Sequence, residues 1–131
     1  MIVVLDASAG IEIALTRSDA QKFEKIIEKA SKVISSELYK AETANVLWKY
    51  YSAGLLNKEE VLKRLKYCDD LIDEYIDISD NNEEALIEGI RIKHSVYDLL
   101  YLVIARRSGA ILLTQDKKLK NIAKDNGIDI E

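Results

Sequence analysis

Proline is absent from all 131 residues, and cysteine, histidine, methionine, tryptophan and phenylalanine each occur once. With Cys68 alone, no intramolecular disulfide can form and thiolate zinc sites are excluded. Cys68 itself reads as a half-buried helix residue. The single His94 rules out paired-histidine acid–base catalysis and argues against a histidine-rich metal site. Oxygen ligands remain, and these favour magnesium or manganese. No Gly/Ser-rich or Pro-rich linker interrupts the chain, so a single domain over residues 1–131 is expected. No apolar run could span a bilayer, and the short start Ile2–Leu5 has no basic leader, so the default location is cytoplasmic. Neither sign of charge dominates. The formal net charge of −4 argues against broad electrostatic binding of nucleic acid, though local clusters of cations remain compatible with it.

A hydrophobic fraction of 48% suits a soluble globular core. A chain of this length buries roughly two-thirds of its unfolded surface without staples. Ile2-Val3-Val4-Leu5 is short, continuous and β-branched, as a strand buried on both faces should be. Asp6-Ala7-Ser8 then turns into a short helix reaching about Thr16. Ser18 through Gln21 has capping-box spacing for a helix ending near Ala30. Lys32–Ile34 is a brief strand, and Ser35 or Ser36 caps a longer helix that stops at Gly54. Asn57 and Glu60 open a helix to about Glu74, followed by a strand over Tyr75–Ile78. Helices follow over Asn82–Lys93 and Tyr97–Arg107, then a strand over Ile111–Thr114 and a last helix over Lys117–Asp125. Ile128–Ile130 is a candidate edge strand. Strands alternating with helices predict an α/β fold: a three-layer α/β/α sandwich around a parallel sheet of four to five strands. Ligands of such sheets sit beyond the carboxyl ends of the strands.

Two carboxylates belong to that edge in this reading: Asp6, directly after the first strand, and Asp116, after the run Ile111–Gln115. Asp6 reads equally as a helix cap and as a ligand aimed into the crevice. Glu42 lies in a helix otherwise rich in apolar and aromatic residues. Asn45 stands one turn on, within reach of the carboxylate or of a substrate phosphate. Asp98 follows Ser95 at capping-box spacing and gains from the dipole of its helix, which puts it near the same edge. Asp116 has its own capping reading, with Thr114 placed to orient neighbouring carboxylates. Each acid has an ordinary explanation; four gathered by one fold would repel one another unless a dication neutralised them. Trp48, with Tyr39, Tyr50 and Tyr51, forms an aromatic helix that suggests core or a homodimer face. Lys117-Lys118 and Arg106-Arg107 read as solvated surface before phosphate contacts. Glu12, Asp69, Asp70 and Asp73 read as solvent-facing helix charges.

The segments Val4–Ser8, Ala41–Leu47, Ser95–Tyr101 and Leu113–Leu119, in this order and spacing, resemble those of PIN-domain ribonucleases. They resemble in particular those of the toxin member of VapBC-type toxin–antitoxin pairs. The resemblance covers nearly the whole chain. It implies that Asp6, Glu42, Asp98 and Asp116 are catalytic, metal-binding residues, and that Ser8, Asn45 and Thr114 contact substrate or support the acids. It further implies a Mg2+- or Mn2+-dependent endoribonuclease, an RNA substrate, a cognate antitoxin whose segment blocks the pocket, and a homodimer. Some family members carry a second acid directly after the last motif; here Lys117 and Lys118 stand there, which leaves the number of metals open. The same fold also serves RNA-processing nucleases without an antitoxin and non-catalytic RNA- or protein-binding modules. A phosphate-accepting receiver domain is the other α/β class with an acidic magnesium pocket, but no strand near residues 50–60 supplies its acceptor.

Overall fold

The structure, a computed structural model, describes residues 1–131. Strand β1 (Ile2–Leu5) lies between β2 (Lys32–Ser36) and β4 (Ile111–Leu113), and β3 (Glu74–Ile76) flanks β2. All three pairings are parallel, with Val3 opposite both Val33 and Ile111. Val3, Val4 and Leu5 are fully buried because the central strand is covered on both faces, which is why it reads as an unbroken apolar run.

Seven helices complete the chain: α1 (Ala7–Ala14), α2 (Ala20–Lys29), α3 (Leu38–Ser52), α4 (Lys58–Asp70), α5 (Asn82–Ile92), α6 (Val96–Ser108) and α7 (Lys117–Asp125). The chain steps from β1 to β2 to β3 in one direction and then returns past β1 to β4. Right-handed crossovers therefore put α1–α4 on one face and α5 and α6 on the other. The packing agrees: α6 lies on β1, β2 and β4 with α5 upon it, whereas α1 packs against α2, α3 and α4. The three-layer sandwich is as expected. Leu99 through Ala105 are all buried, since α6 is covered by the sheet on one side and by α5 on the other. At Gly10 a Cβ would overlap the Tyr39 ring, so only glycine lets that ring cross α1, where its hydroxyl donates to the Cys68 carbonyl at 2.6 Å.

Several local expectations fail, two of them beside a long-range polar contact. The α4 helix stops at Asp70, short of Glu74, and β3 begins one residue before Tyr75; residues 78–80 form a 3-10 turn. Asp73, off the helix, accepts from the Val33 N–H at 2.8 Å and so ties this segment to β2. The cap expected from Ser18 does not form. Instead Glu12 reaches across from α1 and accepts from the Asp19 N–H at 3.0 Å. Glu12 is thus buried rather than solvent-facing. Ile128–Ile130 is not a strand, but the Leu112 N–H donates to the Asp129 carbonyl at 2.8 Å, a single remnant of the edge pairing. Cys68 is fully buried, and burial pushes its thiol up to about 11.

Candidate active site

In a parallel sheet, a helix that follows a strand starts at the carboxyl edge, and a helix that precedes one runs back from it. The N-termini of α1, α3, α6 and α7 therefore gather at one edge of the sheet. Asp6 caps α1, Glu42 lies in the second turn of α3, Asp98 in the first turn of α6, and Asp116 caps α7. Four partial positive helix ends face the same region, an environment that favours anions.

Asp6 is buried, and its Oδ1 accepts from the Ala9 N–H at 3.0 Å and from the Ser8 hydroxyl at 2.7 Å. Ser8 Oγ lies 3.2 Å from Thr114 Oγ1 and accepts from the Gln115 N–H at 2.8 Å. Thr114 Oγ1 accepts from the Asp116 N–H at 3.0 Å, and Asp116 Oδ1 takes the Lys118 and Leu119 N–H groups. Ser8 and Thr114 thus form a polar bridge from the end of β1 to the end of β4, fixing Asp6 relative to Asp116. The capping readings of Asp6 and Asp116 are both realised. Asn45 is exposed, one turn beyond Glu42.

The expected cap by Ser95 is absent, and Asp98 Oδ2 instead lies 2.8 Å from His94 Nε2. Glu42 Oε1 accepts from the Tyr101 hydroxyl at 2.6 Å. Tyr101 is the residue that motif reading passed over. Its signal was available: a tyrosine one turn after Asp98, inside the run Leu99–Ala105 that is otherwise apolar.

Burial pushes the Asp6 carboxyl up to about 6 from an ordinary 3.8, against hydrogen bonds from Ser8, Thr114 and Ala9, and the Asp98 charge pushes the same way. Burial also raises Glu42, opposed by the Tyr101 hydroxyl and reinforced by Asp98. Asp98 is therefore the electrostatic neighbour of both. No Lys or Arg forms an ion pair with Asp6, Glu42, Asp98 or Asp116; the one cationic candidate is His94 on Asp98.

Oxygen donors of this kind suit a hard dication. As placed, however, no three Asp, Glu, His or Cys side chains are close enough to grip one ion. Each acid is instead turned to a protein donor through one oxygen. For Glu42, Asp98 and Asp116 the second oxygen takes no hydrogen bond. Beside the bridge lies a cavity of about 470 Å³ lined by Ser8, Glu12, Arg17, Asp19, Gln115 and Lys117, among others. Lys117 thus borders the site, while Arg106 and Arg107 are engaged with Glu84, Glu88 and Asn81. The aromatic helix divides: Tyr39 is core, Tyr50 bonds Arg17, and Trp48 and Tyr51 are exposed beside a separate cavity between α3 and α4.

A family model described as PIN domain matches residues 3–125. A curated relative, Ribonuclease VapC3 of Pyrobaculum aerophilum, is 29% identical over 125 residues, spanning 91% of this chain and 92% of its own. Among solved structures, PAE2754 of Pyrobaculum aerophilum superposes with a TM-score of 0.74 at 26% identity, covering 92% of this chain and 86% of that one. VapBC2 of Rickettsia felis, solved bound to a DNA fragment from its promoter, gives a TM-score of 0.70 at 19% identity. That match covers 100% of this chain and 98% of the other, a likeness of fold.

Proposed function

This chain belongs to the PIN domain family, and from that premise we propose that it is a metal-dependent endoribonuclease, the toxin of a type II toxin–antitoxin pair. One observation carries the reading: carboxylates gathered at the sheet edge have no lysine or arginine partner, and one of them is pushed to about 6 in a buried setting. A fold does not ordinarily leave such repulsion uncompensated unless a cation from outside relieves it. Asp6, Glu42, Asp98 and Asp116 would hold Mg2+ or Mn2+, with Asp6 fixed by Ser8 and Ala9 and Asp116 by its own helix end. A dication of this class lowers the pKa of water and neutralises charge on a phosphodiester. Asp98 and Glu42 would have to turn from His94 and Tyr101 toward the ion. Ser8, Thr114 and Asn45 serve orientation of the acids or contact with RNA. Lys117 and Arg17, on the adjoining cavity, offer positive charge to the RNA backbone.

The partner protein in this reading is an antitoxin, supported by the likeness to VapBC2 and to Ribonuclease VapC3. A homodimer is part of the same reading. Two cavities between α3 and α4, about 390 and 330 Å³, share Leu62 and Leu65 and carry Lys40, Lys58 and Lys66 along them. They suit an apolar partner segment with acidic flanks.

The test is RNA cleavage by the purified protein under a titration of Mg2+ or Mn2+, with chelator as control. Cleavage that requires the ion and vanishes in Asp98→Asn is expected. The contacts of Asp98 with His94 and of Glu42 with Tyr101 favour one other reading, a non-catalytic PIN module in which the acids are structural. Absence of scission at every metal concentration, with the fold intact, would establish that reading instead.

A further inference from the structure

The cavity beside the Ser8–Thr114 bridge, about 470 Å³, has the size of a small-molecule site. Ser8, Glu12, Arg17, Asp19, Gln115 and Lys117 form its polar side, and Ile11 and Val46 its apolar wall. Ser8 also donates to Asp6, so the cavity adjoins the acids directly. A group that fills it lies next to whatever the acids hold.

Asp19 is the odd member of this wall. It stands at the N-cap of α2, where an aspartate ordinarily accepts from its own helix, yet its side chain makes no capping bond. Its Oδ2 accepts instead from Gln115 Nε2 at 2.9 Å, a partner 96 residues away. Glu12, buried, accepts from the Asp19 N–H at 3.0 Å and anchors that backbone. Gln115 is anchored by its own N–H, which donates to Ser8 Oγ at 2.8 Å. One polar chain thus runs from Asp6 through Ser8, Gln115 and Asp19 to Glu12. Asp19 forms no ion pair, because Arg17 on the same wall is turned to Glu12 and to the Tyr50 hydroxyl. Asp19 Oδ1 and Gln115 Oε1 take no hydrogen bond within the chain. Two acceptors on neighbouring, fixed side chains remain unused.

We propose that this cavity is a nucleobase subsite that selects guanine beside the scissile phosphate, with Asp19 and Gln115 as the specificity-determining residues. The inference rests on the proposed nuclease activity, of which it names the substrate preference. Of the four RNA bases, only guanine carries two neighbouring donor groups, N1–H and the N2 amine, on its pairing edge. Adenine and cytosine set one donor beside an acceptor, and uracil sets one donor between two acceptors. Two fixed acceptors therefore match guanine and are left partly unpaired by the others. The bond to the Asp19 carboxylate is the stronger of the two. Those same oxygens repel a phosphate, which leaves the RNA backbone to Lys117, exposed and without an ion-pair partner. Arg17, held from two sides, supplies a planar cation on which a base stacks.

Single-stranded RNAs that differ at one position, cleaved by the full chain with Mg2+, test it. Scission is expected beside guanosine. Inosine at that position, which lacks only the N2 amine, should lower kcat/KM about tenfold, and adenosine, cytidine or uridine about 100-fold. Asp19→Asn should lose the preference for guanosine over inosine, Gln115→Ala should shrink it, and Glu88→Gln should leave it unchanged. Asp19 does not cap α2 through its side chain, so Asp19→Asn should keep the helix, which circular dichroism checks. A readout without catalysis is the titration of guanosine monophosphate and inosine monophosphate into isotope-labelled protein under chelator. The guanosine nucleotide should bind several-fold more tightly and shift the Gln115 side-chain amide resonances. Equal binding of the two nucleotides, or a guanosine preference that survives Asp19→Asn, would overturn the inference. Guanosine-selective binding at Gln115 with no scission of any RNA would sink the nuclease reading and leave the subsite standing. Scission indifferent to the base would do the reverse.

Discussion

Glu84 and Glu88 on α5 and the acids at the sheet edge are the same chemistry in opposite surroundings. Arg106 donates to Glu84 at 2.7 Å and to Glu88 at 3.0 Å, and Arg91 Nε donates to Glu88 at 2.8 Å. Arg106 chiefly, with Arg107, holds Glu84 below the usual carboxylate range, and Arg91 chiefly, with Arg106, does so for Glu88. At the sheet edge Asp6 and Glu42 are pushed up, and no guanidinium or ammonium answers them. In one region the protein supplies the counter-charge, and the carboxylates hold two helices together. In the other it withholds it, and the carboxylates remain available to a cation from solution. A charge census alone does not separate the two sets; the partner does.

The sharpest way to break the comparison is catalytic. Asp98→Asn or Asp6→Asn should lower metal-dependent RNA cleavage on the order of 1,000-fold while the protein stays folded, whereas Glu88→Gln should leave the rate within a few-fold. Equal losses from both sets, measured on one RNA substrate, would dissolve the distinction. Next in size is stability without metal. Asp6 keeps its proton to about 6 in the folded protein but ionises near 3.8 when free. Stability therefore falls as pH rises through that window and is level above it. Asp6→Asn should consequently stabilise the metal-free protein by up to about 3 kcal/mol at pH 7 and by almost nothing at pH 3.5. Denaturant melts at the two pH values read this directly, and a destabilised variant at pH 7 contradicts it. The clamp should behave in reverse: Arg106→Met, leaving Glu84 and Glu88 short of a partner, is expected to cost about 2 kcal/mol at neutral pH. Because those carboxyls are lowered, the loss should shrink as acid protonates them, visible as converging thermal midpoints. Smallest is Tyr101→Phe, which removes one donor from Glu42. It should change the rate by no more than about tenfold and raise the pH at which activity appears, seen in a pH–rate profile.

The parallel sheet and its covering by helices on both faces were legible because local pattern decides them. The run Ile2–Leu5 is apolar since both faces of β1 are covered, and Asn57 with Glu60 caps α4 with the capping box its sequence advertises. Misreadings cluster where a side chain answers a distant backbone. Ser18 loses its cap to Glu12, Ser95 loses Asp98 to His94, and α4 ends where Asp73 turns to β2. The hydrogen bond from Tyr101 to Glu42 joins residues 59 apart, beyond any local window. The engagement of Arg106 and Arg107 with Glu84, Glu88 and Asn81 was hidden for the same reason, since those partners come from α5 and the turn before it.

The unbroken burial of α6 also bears on how the protein comes apart. Amides of Leu99–Ala105 are shielded by the sheet and by α5 together, so their hydrogen exchange should follow only global unfolding. The α3–α4 pair, with one side open to solvent along Trp48 and Leu62, is expected to open at lower free energy, read as faster amide exchange than in α6. Glu42 rides on that looser unit and Asp98 on the firmer one. Partial opening would therefore separate the acids and relieve their repulsion well before the core gives way, and a cation spanning them would fasten the weaker unit to the stronger.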